Sequence, residues 1–202
     1  LLGRINGMTE WAEKAIFLGP GTQQLQWRYS WGQELLPQDG FPNRAWVDHV
    51  RWEAIPELPF CEALDNCDLV WDRGSTSPPQ WFGQSGDYQQ GGSAVRSGVL
   101  NDSSSKSFST TVTGPGTISF LWKVSSEKLD TLDFYLGHQR QDYISGEIGW
   151  QEKVYQIGQG EVELTWLYRK SSYDSAGADC GWVDRVERVG NLNYPDEARR
   201  RR

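Results

Sequence analysis

At 202 residues, with 37% hydrophobic and 23% charged side chains, the chain has material for one large β-sandwich, or one sandwich and part of another. Its net charge of −7 argues against a nucleic-acid or anionic-membrane partner, both of which call for a basic face, and no apolar run approaches the ~20 residues of a membrane-inserted helix. Gly (22) and Trp (11) are plentiful while Met occurs once, the balance of a turn-rich all-β chain.

In chain order, Leu1 to Glu10 show neither a basic start with an apolar stretch nor a cleavage site, so a secretory signal is expected upstream. Gly19-Pro20-Gly21 reads as a turn before a strand at Leu25–Tyr29, with Leu25, Trp27 and Tyr29 on one face at period two. A loop follows, then a short strand, Trp46-Val47-Asp48-His49-Val50. Pro59–Asp68 is the best helical candidate, short and interrupted, and Cys61 and Cys67 are close enough to close a small disulfide loop. Cys180 is then free, or buried beside Trp182.

Strands are expected at Ala94–Val99, Lys106–Thr113, Thr117–Val124 and Leu132–Leu136, with Gly114-Pro115-Gly116 as a turn between the middle two. Phe108, Thr110 and Val112 alternate before that turn; Ile118, Phe120 and Trp122 alternate after it. Further on, Gly158-Gln159-Gly160 precedes Leu164-Thr165-Trp166-Leu167-Tyr168, and Trp182-Val183-Asp184-Arg185-Val186 is a strand with Trp, Asp and Val sharing one face.

These last segments repeat the first ones. Ile5–Trp31 set above Ile144–Lys170, at an offset of 139 without a gap, has ten identities in 27 positions, among them Trp11/Trp150 and Trp27/Trp166. After a variable loop, Ala45–Val50 matches Gly181–Val186 at an offset of 136. The three Trp pairs, with Trp46/Trp182, are expected in the core. Residues 1–57 thus carry the C-terminal half of a unit, residues 58–190 a complete unit, and residues 191–202 a tail or linker that ends in Arg199–Arg202, a solvated run or a processing site.

A series of motifs carries a resemblance: Ala63-Leu64-Asp65, Trp81-Phe82-Gly83-Gln84, Gly91-Gly92-Ser93-Ala94, the string Thr110–Glu127, Ile144-Ser145-Gly146-Glu147 and Gly181-Trp182-Val183-Asp184. Together they resemble a β-sandwich repeat of large secreted and cell-surface bacterial proteins. The resemblance implies an all-β, jelly-roll-like antiparallel sandwich, similar to carbohydrate-binding and MAM-type modules, that accompanies proteases, adhesins or fibre-like proteins and is not itself an enzyme.

The residues point the same way on catalysis. HExxH, GxSxG and a phosphate-binding Gly loop are all absent from the sequence, and His occurs twice. Jelly-roll modules often carry structural calcium, and an inward carboxylate needs donors or a cation. Asp184 and its counterpart Asp48, with Asp174 and Asp179 in a nearby loop, are the candidate ligands; Asp65 and Asp68 lie in another loop. The alternative is that Asp184 accepts backbone N–H groups. Trp31, Trp71, Trp81 and Tyr88 lie near loops and are candidates for a sugar-binding platform. Asn101-Asp102-Ser103 is the one glycosylation sequon.

The leading expectation is a secreted, non-catalytic repeat whose half-unit pairs with neighbouring copies or repeats of the same protein, forming a fibre or surface array. The alternative is a carbohydrate-binding module with a polysaccharide partner. The two differ in where they place their Trp residues: exposed and coplanar in a binder, buried in a structural repeat.

Overall fold

A computed structural model describes residues 5, 9–14, 16, 18, 24–30, 44–53, 58–74, 80–172 and 176–190. The chain divides into two units, one of Leu1–Gly21 with Glu57–Arg202 and the other of Thr22–Pro56.

The larger unit is all-β and antiparallel. A 3₁₀ turn at Glu62–Leu64 precedes β1 (Trp71–Asp72), β2 (Phe82–Gln84), β3 (Ala94–Arg96), β4 (Ser105–Ser125), β5 (Thr131–Leu136), β6 (Gln139–Ser145), β7 (Glu147–Arg169) and β8 (Cys180–Gly190). The strands hydrogen-bond in the order β2-β3-β8-β4-β7-β5-β6, with β1 also on β4. β4 and β7 are long enough to pass through both layers of a sandwich. Their paired ends nearest Ser125 and Glu147 join β8, β3 and β2; their other ends join β1 on one side and β5 and β6 on the other.

Gly114-Pro115-Gly116 is therefore a bend within one strand, not the expected turn between two. The register of β4 on β7 shifts between Gly114 and Gly116, the kind of irregularity by which a strand changes sheets. Gly158-Gln159-Gly160 lies likewise inside β7. The strands approach so closely here that a Cβ on Gly114 would lie 1.9 Å from the Gly158 carbonyl oxygen.

The alternating residues of both arms fill the space between the layers. Phe108 and Val112 from one arm of β4 meet Ile118, Phe120 and Trp122 from the other, all buried. Trp166 on β7 is the centre of the cluster: it stacks on Phe108 with centroids 4.9 Å apart and lies 5.2 Å from Phe120 and 5.1 Å from Phe134. Along the open side of the sandwich, Lys153 of β7 pairs with Asp142 of β6 at 2.7 Å and the Tyr155 hydroxyl donates to the same carboxylate, joining the two edge strands.

In the smaller unit, residues 24–30 and 44–53 carry no strand, where Leu25–Tyr29 and Trp46–Val50 were expected. A strand is held by a hydrogen-bonded neighbour, and among the described residues these have none. Their apolar side chains are exposed: Trp27 is 58% exposed where its counterpart Trp166 is 0%, and Trp46 58% where Trp182 is 4%. Trp11 is exposed too, so the expectation of six core Trp residues holds for Trp166, while Trp182 is buried outside the main core cluster, Trp150 is half-buried, and the first copy fails it. One local feature does repeat. His49 and Arg185, equivalent in the two copies, both take positive φ, 51° and 45°, directly after their Asp. Residues 191–202 lie outside the described residues.

Candidate functional site

The positive φ at Arg185 accompanies a register shift of β8 on β4, between the Ser119 and Leu121 pairings. The shift reverses the expected facing. Val183 and Val186 both enter the core, while Trp182 and Asp184 lie on the opposite face of β8. That face is covered by the loop between β2 and β3. Buried Gln84 shapes the loop, donating from Nε2 to the Asp87 carbonyl and accepting at Oε1 from the Gly86 and Asp87 amides. Asp87 then pairs with Lys123 and accepts from Trp150 Nε1 at 3.3 Å. Lys123 and Arg96 both lie over the Trp182 ring, 5.0 and 5.4 Å from its centroid.

Asp184 is fully buried beneath this loop. Its Oδ2 accepts the Gln89 and Gln90 amides, each at 2.8 Å, and its Oδ1 has no hydrogen-bond partner. Burial raises its pKa, the Gln90 and Gln89 amides oppose that shift, the negative charge of Asp65 adds to it, and the Arg185 amide also opposes it. Asp65 ends the 3₁₀ turn, and its carboxylate lies so near Gly91 that a Cβ there would meet Oδ1 at 2.4 Å. An orphaned carboxylate oxygen with a second carboxylate in its field suits a hard divalent cation such as calcium.

The other expected ligands do not join them. Asp48 is exposed and accepts the neighbouring His49 amide at 2.7 Å. Asp179 precedes Asp184 by five residues, about 17 Å along an extended strand, and engages Lys170 and Tyr168. Asp68 is exposed, its amide bonded to Asn66 Oδ1. Asp174 lies outside the described residues. Among the described residues, no group of three or more His, Cys, Asp or Glu side chains gathers as a metal site.

The sugar-platform candidates part company as well. Trp81 is completely buried, 4.8 Å from Phe108, and its Nε1 donates to the Lys106 carbonyl. Trp71 packs between Phe60 and Trp166 and donates to the Asn66 carbonyl. β1 pairs with β4 and so brings Trp71, half-buried, against the core; the buried Trp81 ring offers no face to a ligand. Tyr88 is 47% exposed on the covering loop. Trp31 lies outside the described residues. Asn101 is exposed beside a turn. Cys61 and Cys67 are bridged, with Cα atoms 4.6 Å apart. Cys180 is free and buried; burial pushes its thiol up to about 11 against the opposing pull of Arg96, whose Nε donates to Sγ at 2.9 Å.

One cluster was not anticipated. Lys170 is buried, its Nζ 2.7 Å from Asp179 Oδ2, 3.7 Å from Asp130 Oδ2 and 3.5 Å from Asp102 Oδ1. The Tyr168 hydroxyl donates to Asp179 Oδ1 at 3.2 Å, and the Ser171 amide to Asp130 Oδ1 at 2.8 Å. The signal was present in the alternation: Lys170 continues Leu164, Trp166 and Tyr168 on the inward face of β7, and Asp130 precedes Leu132 and Phe134 on that of β5.

No protein-family model and no curated protein sequence matches the chain. Among solved structures it is similar to the secreted serine protease VesC from Vibrio cholerae, at 12% identity and a TM-score of 0.46 over 59% of this chain and 28% of that one. It is similar to the cleaved adhesin domain of Lys-gingipain from Porphyromonas gingivalis, at 13% identity and 0.44 over 67% and 94%. It is also similar to a family 11 carbohydrate-binding module from Clostridium thermocellum in complex with a mixed-linked tetrasaccharide, at 12% identity and 0.37 over 68% and 96%. At these values the likeness says nothing of what the chain binds.

Proposed function

We propose that the chain is a non-catalytic β-sandwich repeat of an extracellular multi-repeat protein, and that residues 1–57 receive the front half of a unit from a neighbouring repeat of the same protein. The contrast between the two copies supports this reading. Leu164, Trp166 and Tyr168 are buried; Leu25, Trp27 and Tyr29, at the same positions of the pattern, are exposed. In the complete unit the cover comes from Phe108, Phe120 and Phe134 of β4 and β5, so the occupant is a segment of that kind. Burying a large apolar side chain stabilises by about 1.5–3 kcal/mol, which makes the exposed row a substantial driving force for pairing. The Cys61–Cys67 bridge suits the oxidising surroundings of a secreted protein.

Amide hydrogen exchange on the chain within the polypeptide that bears it tests this. Residues 24–30 and 44–53 gain protection there relative to the isolated chain, and Trp27→Asp removes that gain while leaving β4 and β7 protected. Equal exchange in both contexts sinks the reading.

Carbohydrate binding is the second reading, favoured by Tyr88. Its exposed ring stands beside the exposed amide side chains of Gln89 and Gln90, a flat apolar face next to hydrogen-bonding groups of the sort that hold a pyranose. Affinity electrophoresis through gels containing soluble β-glucans or galactans is expected to retard the chain, and Tyr88→Ala to release it. Unretarded migration in every polysaccharide removes this reading.

Calcium belongs to either reading as a structural ion. Asp184 and Asp65 would hold it together with carbonyls of the loop between β2 and β3. Bound there, the ion neutralises the buried carboxylate and ties three elements together.

A further inference from the structure

The Lys170 cluster places an amine, a carboxyl and a second carboxylate together in a buried setting at the end of the sandwich. A buried lysine is rare, and one held between two buried acids is rarer. The Lys170 side chain is 1% exposed, that of Asp130 0% and that of Asp179 11%. Asp130 Oδ2 has no hydrogen bond and lies 3.7 Å from Nζ. Asp179 presents one oxygen to the amine at 2.7 Å and the other to the Tyr168 hydroxyl at 3.2 Å.

We propose that Lys170 and Asp179 condense to an intramolecular isopeptide bond, with Asp130 relaying protons and Tyr168 holding the carbonyl oxygen. The reactants are an ammonium and a carboxylate; the products are a secondary amide and one water. Asp130 accepts a proton from the Lys170 ammonium and passes it to Asp179 Oδ2. The neutral amine attacks Asp179 Cγ, forming the C–N bond. The Tyr168 O–H donates to Oδ1 as negative charge gathers on it. A second proton moves from nitrogen through Asp130 to Oδ2, the Cγ–Oδ2 bond breaks, and Oδ2 departs as water. Asp130 ends as it began, and no oxidant, cofactor or second substrate enters the balance.

The surroundings favour each part. Fixing the amine against the carboxyl replaces an encounter in solution with a standing contact, an advantage that reaches 10⁵ M or more, roughly, in effective concentration. Burial raises the pKa of Asp130, which makes it a better proton carrier. Burial, with the nearby negative charges of Asp179 and Asp130, drives the Tyr168 phenol far above its ordinary pKa, so it stays a donor. The resting state is the ion pair, since Asp179 raises the Lys170 pKa against the effect of burial, so the reaction proceeds through a minor neutral pair and is slow. Its product replaces two buried charges with a neutral amide. The crosslink joins the residue after β7 to the residue before β8.

Intact mass spectrometry of the purified, reduced and denatured full chain reads the outcome whatever the stability of any variant. The wild type is expected to be lighter than its sequence by one water. Tryptic mapping then yields Lys170–Arg185 as a single looped peptide, one water lighter than its sequence, with no cleavage after Lys170. Lys170→Arg and Asp179→Ala keep the full mass. Asp130→Asn, checked for fold by circular dichroism, forms the bond about 100-fold more slowly. A wild-type chain still at full mass after prolonged incubation overturns the proposal. So does a water loss that persists in Lys170→Arg, or a branch mapped to Asp130 or Asp102.

Discussion

Lys170 and Asp130 occupy positions that strand alternation otherwise gives to Leu, Trp and Phe, and Asp184 lies among residues as buried as any Val in the core. Such groups persist only where the surroundings supply partners. For Asp184 the supply is incomplete at Oδ1, which is where the proposed calcium would bind. Adding calcium in large excess over its dissociation constant is expected to raise the melting temperature by on the order of 5 °C, and a chelator to reverse the gain. Asp184→Asn, which keeps a carbonyl oxygen but drops the charge, should melt at the same temperature with or without calcium. Scanning calorimetry decides it; an equal calcium response in the variant removes the site. The pH dependence follows in sign. Without calcium the raised pKa of Asp184 means that protonation favours the folded state, so this group's contribution grows as pH falls through the folded pKa and is lost as pH rises through it. With calcium the ionised form is the one held, and the trend reverses.

At the scale of elements, the bends in β4 and β7 bring Gly114 hard against the Gly158 carbonyl oxygen. Gly114→Ala would drive a methyl group against the Gly158 carbonyl oxygen and Ile157 Cγ2, contacts that a backbone atom cannot yield without moving its strand. The expected cost is about 1–3 kcal/mol, measured as a lower urea midpoint. Gly149→Ala on β7 meets nothing within 4 Å and serves as the control, with a midpoint near the wild type. An unchanged midpoint for Gly114→Ala would mean that the two bends do not press on each other. These elements also show what the sequence could disclose. Alternation in Phe108–Val112 and Ile118–Trp122 was readable as two buried arms. Whether Gly-Pro-Gly joined them as a hairpin or a corner was not, because both uses need the same residues and differ only in which distant strand lies alongside. The facing of Trp182 and Asp184 was lost for a similar reason: a single bulge at Arg185 inverts the parity that alternation assumes, so they no longer share a face with Val186.

For the whole molecule, the all-β class and the buried row with Trp166 follow from period-two patterning and composition, while the antiparallel sandwich was what the resemblance implied. The site was less legible. Asp184 stood out because a carboxylate in a Trp-Val-Asp strand contradicts its neighbours. Asp65 gained meaning only when the loop carrying Gly91 folded over it, and Trp71 and Trp81 were misplaced because nearness to a loop in sequence does not fix which way a ring turns. The repeat is the clearest case of one pattern with two outcomes. Trp166 is buried and Trp27 exposed although each has a Leu two residues before it and a Tyr two residues after, because burial is conferred by the strands alongside and not by the segment itself.

The passage of β4 and β7 through both layers has a mechanical side. In a sandwich whose layers are joined only by loops, one sheet can slide or peel from the other while each stays intact. Here two backbones run uninterrupted from one layer into the other, like a pair of stitches through two plies of cloth. A load that shears the plies must stretch these strands or strip both of their hydrogen-bonded ladders at once, so the module yields as a whole or not at all. In the proposed array of repeats, such a block would transmit tension without lengthening.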